Sequence, residues 1–205
     1  VPIAKTFTYD WYTHGPLNPD KPKASKVLMH YRLENDERNG LGRFPLQPGK
    51  VRIFIEDGHG GEAFLGEDWA ALTPIEGAMR LYLGEARDIV CTRIVEKNQR
   101  HGVQGNLFHQ ELVIRYEIEN FKDKAATLDI LEQVNRLAAE YGANPPGDAE
   151  WELGDQTTPE VSITYERGRA LPMLKVRLPA RPVDPDAEVE KVVVRFHLTI
   201  RNLWS

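Results

Sequence analysis

The fold is decided by the stretch from Asn39 to Leu83, whose centre reads Pro48-Gly49-Lys50-Val51-Arg52-Ile53-Phe54-Ile55-Glu56-Asp57-Gly58-His59-Gly60-Gly61 and continues to Phe64-Leu65. Successive side chains leave opposite faces of a strand, so apolar runs that alternate with polar residues and end at Gly, Pro or Asp are typical of antiparallel strands and their turns. The glycine-rich segment predicts a hairpin connection, because Gly tolerates positive φ. The stretch therefore predicts a β-sheet, and it contains no catalytic constellation.

The same period of two recurs along the rest of the chain. One segment also carries a helical pattern, and we expect a strand there followed by a helical turn near Arg136 to Tyr141. Roughly ten or eleven strands at this spacing predict an all-β, antiparallel β-sandwich that is immunoglobulin-like in the broad sense, with at most one short helix. The other predicted strands are Lys5 to Tyr9, Lys26 to Leu33, Met79 to Leu83, Val90 to Ile94, Leu112 to Ile118, Thr127 to Val134, Val161 to Tyr165, Leu174 to Leu178 and Val192 to Ile200.

Core positions follow from the phase of these strands. The residues expected in the core lie mid-strand, in phase with apolar neighbours, and are Ile53, Leu81, Ile114, Ile118 and Phe196.

The composition bounds the class of protein. The chain has 205 residues, of which 41% are hydrophobic and 28% charged, as expected for a single folded domain covering residues 1–205. The net charge of −5 argues against nucleic-acid binding, which needs a basic face. No apolar run reaches the ~18 residues of a transmembrane helix. The single cysteine, Cys91, cannot form an internal disulfide, so the cysteine content does not indicate an oxidising or a reducing compartment.

Residues from about Lys26 to Leu137 resemble the C-terminal β-domain of the mucoidy-inhibitor-A-like proteins, a bacterial family of unknown function. The order and spacing of several strand and turn segments carry the resemblance. They are Asn35 to Leu41, Leu46 to Phe54, Phe64 to Asp68, Leu81 to Asp88 and Tyr116 to Lys124.

This resemblance implies a β-sandwich that forms the C-terminal part of a longer bacterial protein, with a periplasmic or cell-envelope location favoured. It implies no reaction, cofactor or catalytic residue. The chain departs from the family pattern in Ala138 to Glu160 and in Arg181 to Glu188, which are more irregular.

Each motif that could carry chemistry also has a simpler explanation. Asp57 to Gly61 could cradle an anion, but both flanks predict strands, whereas phosphate loops lead into a helix. The six histidines lack the spacing of a common metal site, and we expect His30 and His197 on solvated sheet faces. A mid-strand cysteine such as Cys91 is typically a small apolar residue.

The acidic segments Asp148 to Glu152 and Asp184 to Glu188 lack the spacing of a calcium loop, and we interpret both as solvated loops. No metal or cofactor is therefore expected. Exposed aromatic rings can stack on sugars or anchor a partner. The aromatic residues that we select as a possible binding surface lie beside turn signals or chain ends, and they are Trp11, Tyr12, Trp151 and Trp204.

Three functions remain open for such a fold, because a sandwich can carry any of them. The first is a non-catalytic interaction or scaffold module whose partner is a protein or a glycan. The second is a carbohydrate-binding module, and the third is a hydrolase with a site built from loops.

Overall fold

The computed structural model describes residues 2–14, 25–56, 58–142, 149–158, 160–166, 169–184 and 186–204. Strands account for 65% and helices for 7%, and the chain is all-β and sandwich-like, which confirms the predicted fold class. Every ladder whose register is described is antiparallel.

The described residues form eleven strands, two short α-helices and one 3₁₀ turn at Glu37–Asn39. Helix α2 (Val134–Glu140) lies close to the predicted helical turn, and α1 (Trp11–His14) is a single turn in addition to the one short helix expected. The strands are β1 (Ala4–Asp10), β2 (Ser25–Glu34), β3 (Gly49–Glu56), β4 (Glu62–Ala70), β5 (Ala78–Gln104), β6 (Leu107–Asn120), β7 (Ala126–Leu131), β8 (Glu150–Leu153), β9 (Glu160–Glu166), β10 (Arg169–Leu178) and β11 (Lys191–Trp204).

The chain divides into two compact units. The smaller unit consists of Val1–Phe7 and Leu28–Ala86, and the larger one of Thr8–Val27 and Arg87–Ser205. The expectation of one domain over residues 1–205 stays a prediction, and each unit is described by itself below.

The smaller unit has two layers. Ile53 and Ala70 of the hairpin β3–β4 pack against Leu81 of β5 and form the core of this unit. The partly buried side chains that pack on this core are Tyr31, Val51, Met79 and Leu83. A buried amide holds the neighbouring loops together. Asn35 donates to the carbonyl oxygens of Phe44 and Pro74, at 3.0 Å each, and accepts from the Gly42 amide at 3.0 Å.

The strands of the nine-stranded sheet follow the order β8-β11-β6-β5-β2-β1-β7-β10-β9, and β6 to β11 lie wholly in the larger unit. Strand β6 pairs with β5 on one side and β11 on the other. Its inward residues Ile114 and Ile118, and Phe196 of β11, are fully buried. With Ile53 and Leu81 of the smaller unit also buried, all five predicted core residues are confirmed.

Two local predictions differ from the structure. The strands predicted at Met79 to Leu83 and Val90 to Ile94 form one 27-residue strand, β5, because Gly84 extends the strand at a φ of 125° instead of making a turn. The segment interpreted as an acidic loop places Glu150 to Glu152 in strand β8, paired with β11. A strand this short forms only against a partner, so its own pattern is weak.

Candidate interaction surface

The four aromatic residues selected from the sequence all belong to the larger unit but differ in exposure. Trp11 is buried, at 7% exposure, whereas Tyr12 and Trp151 are half-buried. Trp204 is 54% exposed, near the end of β11. The structure brings Trp11 and Tyr12 together around Arg93. Trp151 lies opposite Ile200 in the β8–β11 ladder.

Arg93 is the centre of a buried polar cluster. Its side chain is 2% exposed, with the guanidinium 4.8 Å from the centre of the Trp11 ring. Its Nη2 lies 3.4 Å from Glu140 Oε2, and its Nε lies 3.6 Å from Glu132 Oε1. Glu132 also accepts a hydrogen bond from the Tyr116 hydroxyl, and burial raises the pKa of its carboxyl. A buried acid with a shifted pKa is a reason to consider a functional site.

The contacts of this cluster connect structural elements instead of facing an open cleft. Tyr12 of α1 donates to Glu140 of α2 at 2.6 Å, and Arg93 of β5 contacts both carboxylates. Two carboxylates around one guanidinium leave no net positive charge for an anionic ligand. The arrangement therefore holds α1 and α2 on the sheet.

A second polar cluster surrounds His197 of β11. The prediction of a solvated position for this residue is wrong, because its exposure is 7% and the segment after β8 lies over it. Gly154 donates to the His197 carbonyl at 2.8 Å, and a Cβ on Gly154 would overlap the imidazole ring. The ring lies between two carboxylates, with Nε2 3.1 Å from Glu111 Oε1 and Nδ1 3.2 Å from Asp155 Oδ1.

Glu111 is held in its ionised form by several partners. Its carboxylate lies 2.6 Å from Lys97 Nζ and 3.1 Å from His101 Nε2, in addition to His197. These hydrogen bonds lower the pKa of the Glu111 carboxyl from 4.5 to about 2, and the hydrogen bond from Lys97 contributes most. An acid with such a low pKa is a poor general base near neutral pH, because catalytic efficiency is greatest for a pKa close to the working pH.

The remaining sequence candidates have structural surroundings. Cys91 is fully buried in β5, and burial raises the pKa of its thiol, as expected of an inert structural cysteine. Gly58 and Gly60 lie between β3 and β4 with φ of 77° and 85°, which confirms the hairpin. Asp57 lies outside the described residues. Within the described ranges, no group of three or more His, Cys, Asp or Glu side chains is arranged to hold a metal ion.

Three large aromatic side chains of the hairpin in the smaller unit are open to solvent. We call Phe54, Phe64 and Trp69 the aromatic face; they are 52%, 59% and 72% exposed. Phe54 and Phe64 are directly opposite each other, with ring centroids 5.6 Å apart and planes at 65°. Lys50 Nζ lies 5.9 Å from the centre of the Trp69 ring.

The alternation of β3 explains this exposure. Val51 and Ile53 pack on the core, so Phe54, one residue further, points to the opposite face. Further large apolar residues of the smaller unit are also at least 41% exposed, and they are Ile3, Phe44, Ile55, Leu65, Leu72, Ile75 and Tyr82. An exposed apolar patch of this kind commonly marks an interaction site.

The sequence analysis did not select the aromatic face. A signal was present in Ile53-Phe54-Ile55, where apolar side chains occupy both faces of one strand. Only one of those faces can belong to the core of a two-layer unit.

The fold and these surfaces define an all-β protein with two polar clusters in its larger unit and an exposed aromatic face on the hairpin of its smaller unit. Comparisons with protein-family models, with curated proteins and with solved structures found no significant match. None of the helices in the described part of the chain has the length and apolar character required to cross a bilayer.

Proposed function

We propose that this protein is a non-catalytic interaction module, and that it binds a protein partner through the aromatic face of the hairpin β3–β4. The observation that carries the proposal is the exposure of Phe54, Phe64 and Trp69 on one face of one hairpin. Aromatic residues of this type supply most of the binding energy at protein interfaces. Their burial by a partner removes the cost of exposing them to water.

The charged residues around the aromatic face also suit a protein partner. Lys50 lies 2.8 Å from Glu67, and Arg52 lies 3.6 Å from the same carboxylate. In the ladder, Lys50 lies opposite Trp69, and the Arg52–Glu67 pair lies between Trp69 and the Phe54–Phe64 pair. Protein interfaces combine aromatic and Arg side chains with several direct hydrogen bonds, and this face offers both kinds of group to a partner.

A glycan is the second candidate ligand, supported by the exposure of Trp69. Sugar rings stack on flat aromatic surfaces, and a platform needs rings in a common plane. The ring planes of Phe54 and Phe64 meet at 65°, so the two rings pack edge to face and do not form one flat platform for a sugar. This geometry favours a protein ligand over a glycan.

A hydrolase with a loop-built site and a nucleic-acid partner both receive less support. Arg93 lies beside Glu132, and Glu111 lies beside Lys97 and His197, so these groups contact one another within the fold. The net charge of −5 disfavours a polyanion. A role in a bacterial envelope protein is proposed from the family resemblance alone.

The experiment compares affinity capture by the native chain with capture by the double variant Phe54→Ser/Phe64→Ser. Extracts come from the organism that makes the protein, and bound proteins are identified by mass spectrometry. The matched control is Val183→Ser, which removes a fully exposed apolar side chain from the larger unit. We expect a defined partner that the native chain and Val183→Ser retain and the double variant loses.

Binding must then be reproduced with the purified partner. The dissociation constant should increase at least about tenfold in the double variant, equivalent to ~1.4 kcal/mol. Equal capture by all three proteins would contradict the proposed surface. Glycan-array binding that depends on Trp69 would favour the second candidate, and activity on ester, peptide or glycoside substrates would refute the non-catalytic role.

A further inference from the structure

The outer edge of β9 in the larger unit is an unpaired strand edge. Strand β9 is the terminal strand of the nine-stranded sheet and pairs with β10. Among the described residues, no other strand pairs with it. Unpaired edges are usually protected by charges, prolines, bulges or a covering loop. The interior of β9, Val161-Ser162-Ile163-Thr164-Tyr165, contains no charged residue, glycine or proline, and Ile163 is 43% exposed.

The register identifies the backbone groups that point outward. Pro172 of β10 lies opposite Ile163, and its carbonyl accepts from the Glu132 amide at 3.1 Å, on the side of β7. Pro172 and Ile163 therefore form a non-hydrogen-bonded pair, and the N–H and C=O of Ile163 point to the open edge. The contact of Ser162 agrees with this alternation of inward and outward backbone groups. Its hydroxyl lies 3.5 Å from the Met173 carbonyl, which points towards β9. By alternation, Val161 and Tyr165 also present their backbone groups outward.

The charges at the two ends of β9 select the occupant. Glu160 and Glu166 lie six positions apart and bound the uncharged segment. A second copy paired antiparallel about Ile163 would place Glu160 of each chain opposite Glu166 of the other. Like charges directly opposite each other destabilise a strand pair, whereas opposite charges stabilise it. In the ladder with β10, Glu160 and Glu166 already lie opposite Lys175 and Arg169. A basic residue on an added strand would continue this alternation of opposite charges, whereas a second copy would place Glu beside Glu. The edge therefore disfavours self-pairing and favours a strand with basic residues at the two matching positions.

We infer that the edge of β9 binds an extended peptide segment of a partner protein as an added strand, with Lys or Arg opposite Glu160 and Glu166. Backbone hydrogen bonds to Val161, Ile163 and Tyr165 supply the attachment, and the basic residues fix the register. The inference deepens the proposed interaction role but uses a different surface from the aromatic face. The two can therefore fail separately.

Two blocked peptides test the inference on the whole 205-residue chain by fluorescence anisotropy. The first is Lys-Val-Thr-Ile-Thr-Val-Lys, and the second carries Glu in place of both Lys residues. We expect the Lys peptide to bind at least about tenfold more tightly, and the variant Glu160→Lys/Glu166→Lys to reverse that preference. Amide hydrogen exchange should become slower at Val161, Ile163 and Tyr165 when the Lys peptide binds.

The variant Ile163→Pro removes only the outward N–H, a substitution that edge strands tolerate. It should abolish binding, whereas Ile163→Thr, which keeps the N–H, should retain it. If Ile163→Pro does not fold, the peptide preference of the variant Glu160→Lys/Glu166→Lys tests the inference instead. Equal affinities for both peptides, or no binding at about 1 mM, would overturn the inference. So would a dimer in sedimentation that Ile163→Thr retains and Ile163→Pro abolishes, since a second copy would then be the occupant.

Discussion

Arg93 is the residue on which the buried polar cluster depends. Glu132 is fully buried, and its nearest positive charge is this guanidinium. The balance between desolvation and attraction makes such a pair a weak source of net stability while it is intact. Removal of one partner is costly, because the other charge then stays buried without compensation.

The substitution Arg93→Met should therefore destabilise the fold by about 3–5 kcal/mol, measured by urea denaturation. The matched control is Arg201→Met, which breaks a half-exposed pair with Glu152 and should cost less than ~1 kcal/mol. Replacement of Glu132 together with Arg93 should recover part of the loss. Similar losses for Arg93→Met and Arg201→Met would contradict the assignment.

Glu111 makes stability depend on acidic pH. Its folded-state pKa of about 2 lies below the ordinary value of 4.5, so the stability that it contributes is present above pH 4.5 and is lost as pH falls towards 2. The variant Glu111→Gln should therefore show a flatter decline in the free energy of unfolding between pH 4.5 and pH 3 than the native chain. Parallel declines in both proteins would show that Glu111 is not the titrating group.

At the scale of elements, short segments owe their structure to what covers or supports them. Strand β8 pairs with β11, and the segment after β8 is held by hydrogen bonds to the backbone of His197 and Arg195. Thr158 N donates to the Arg195 carbonyl at 3.1 Å. Gly154 allows the segment after β8 to lie over His197, because a residue without a side chain leaves room for the imidazole ring.

The variant Gly154→Ala should thus lose about 1–3 kcal/mol of stability through overpacking, measured by thermal or urea unfolding. Gly102→Ala is the control within the same unit, since a Cβ there meets nothing within 4 Å. The double variant Gly154→Ala/His197→Ala should recover stability relative to Gly154→Ala if the ring is the obstacle. An unchanged midpoint for Gly154→Ala would show that the segment moves away from β11 freely.

At the scale of the whole molecule, the two units differ in the depth of their cores. In the larger unit, β6 has a neighbour on each side and fully buried residues along its inner face, such as Leu112, Ile114 and Ile118. The best-buried residues of the β3–β4 hairpin, Ile53 and Ala70, keep 8% and 5% exposure. Local opening requires less free energy where fewer apolar groups are buried.

Native-state amide hydrogen exchange should show this difference. We expect the amides of β6 to exchange at the rate of global unfolding and those of β3 and β4 to exchange faster, through opening of the hairpin. Mass spectrometry of peptic fragments resolves the two segments. Equal protection of β6 and of the hairpin would mean that the whole chain opens as one cooperative unit.

Apart from β8, the sequence by itself determined the strands and the faces that they bury, because the period of two is a local property of each segment. It predicted the hairpin at residues 48–65, the helical turn after β7 and all five core residues. It did not predict that β5 continues past Gly84, that His197 is covered, or that Phe54 and Phe64 form one exposed pair. These depend on which segments meet in space, because burial and pairing are decided by neighbours distant in the chain. The tertiary structure alone therefore decided which aromatic residues fill the interior, as Trp11 does, and which remain available to a partner.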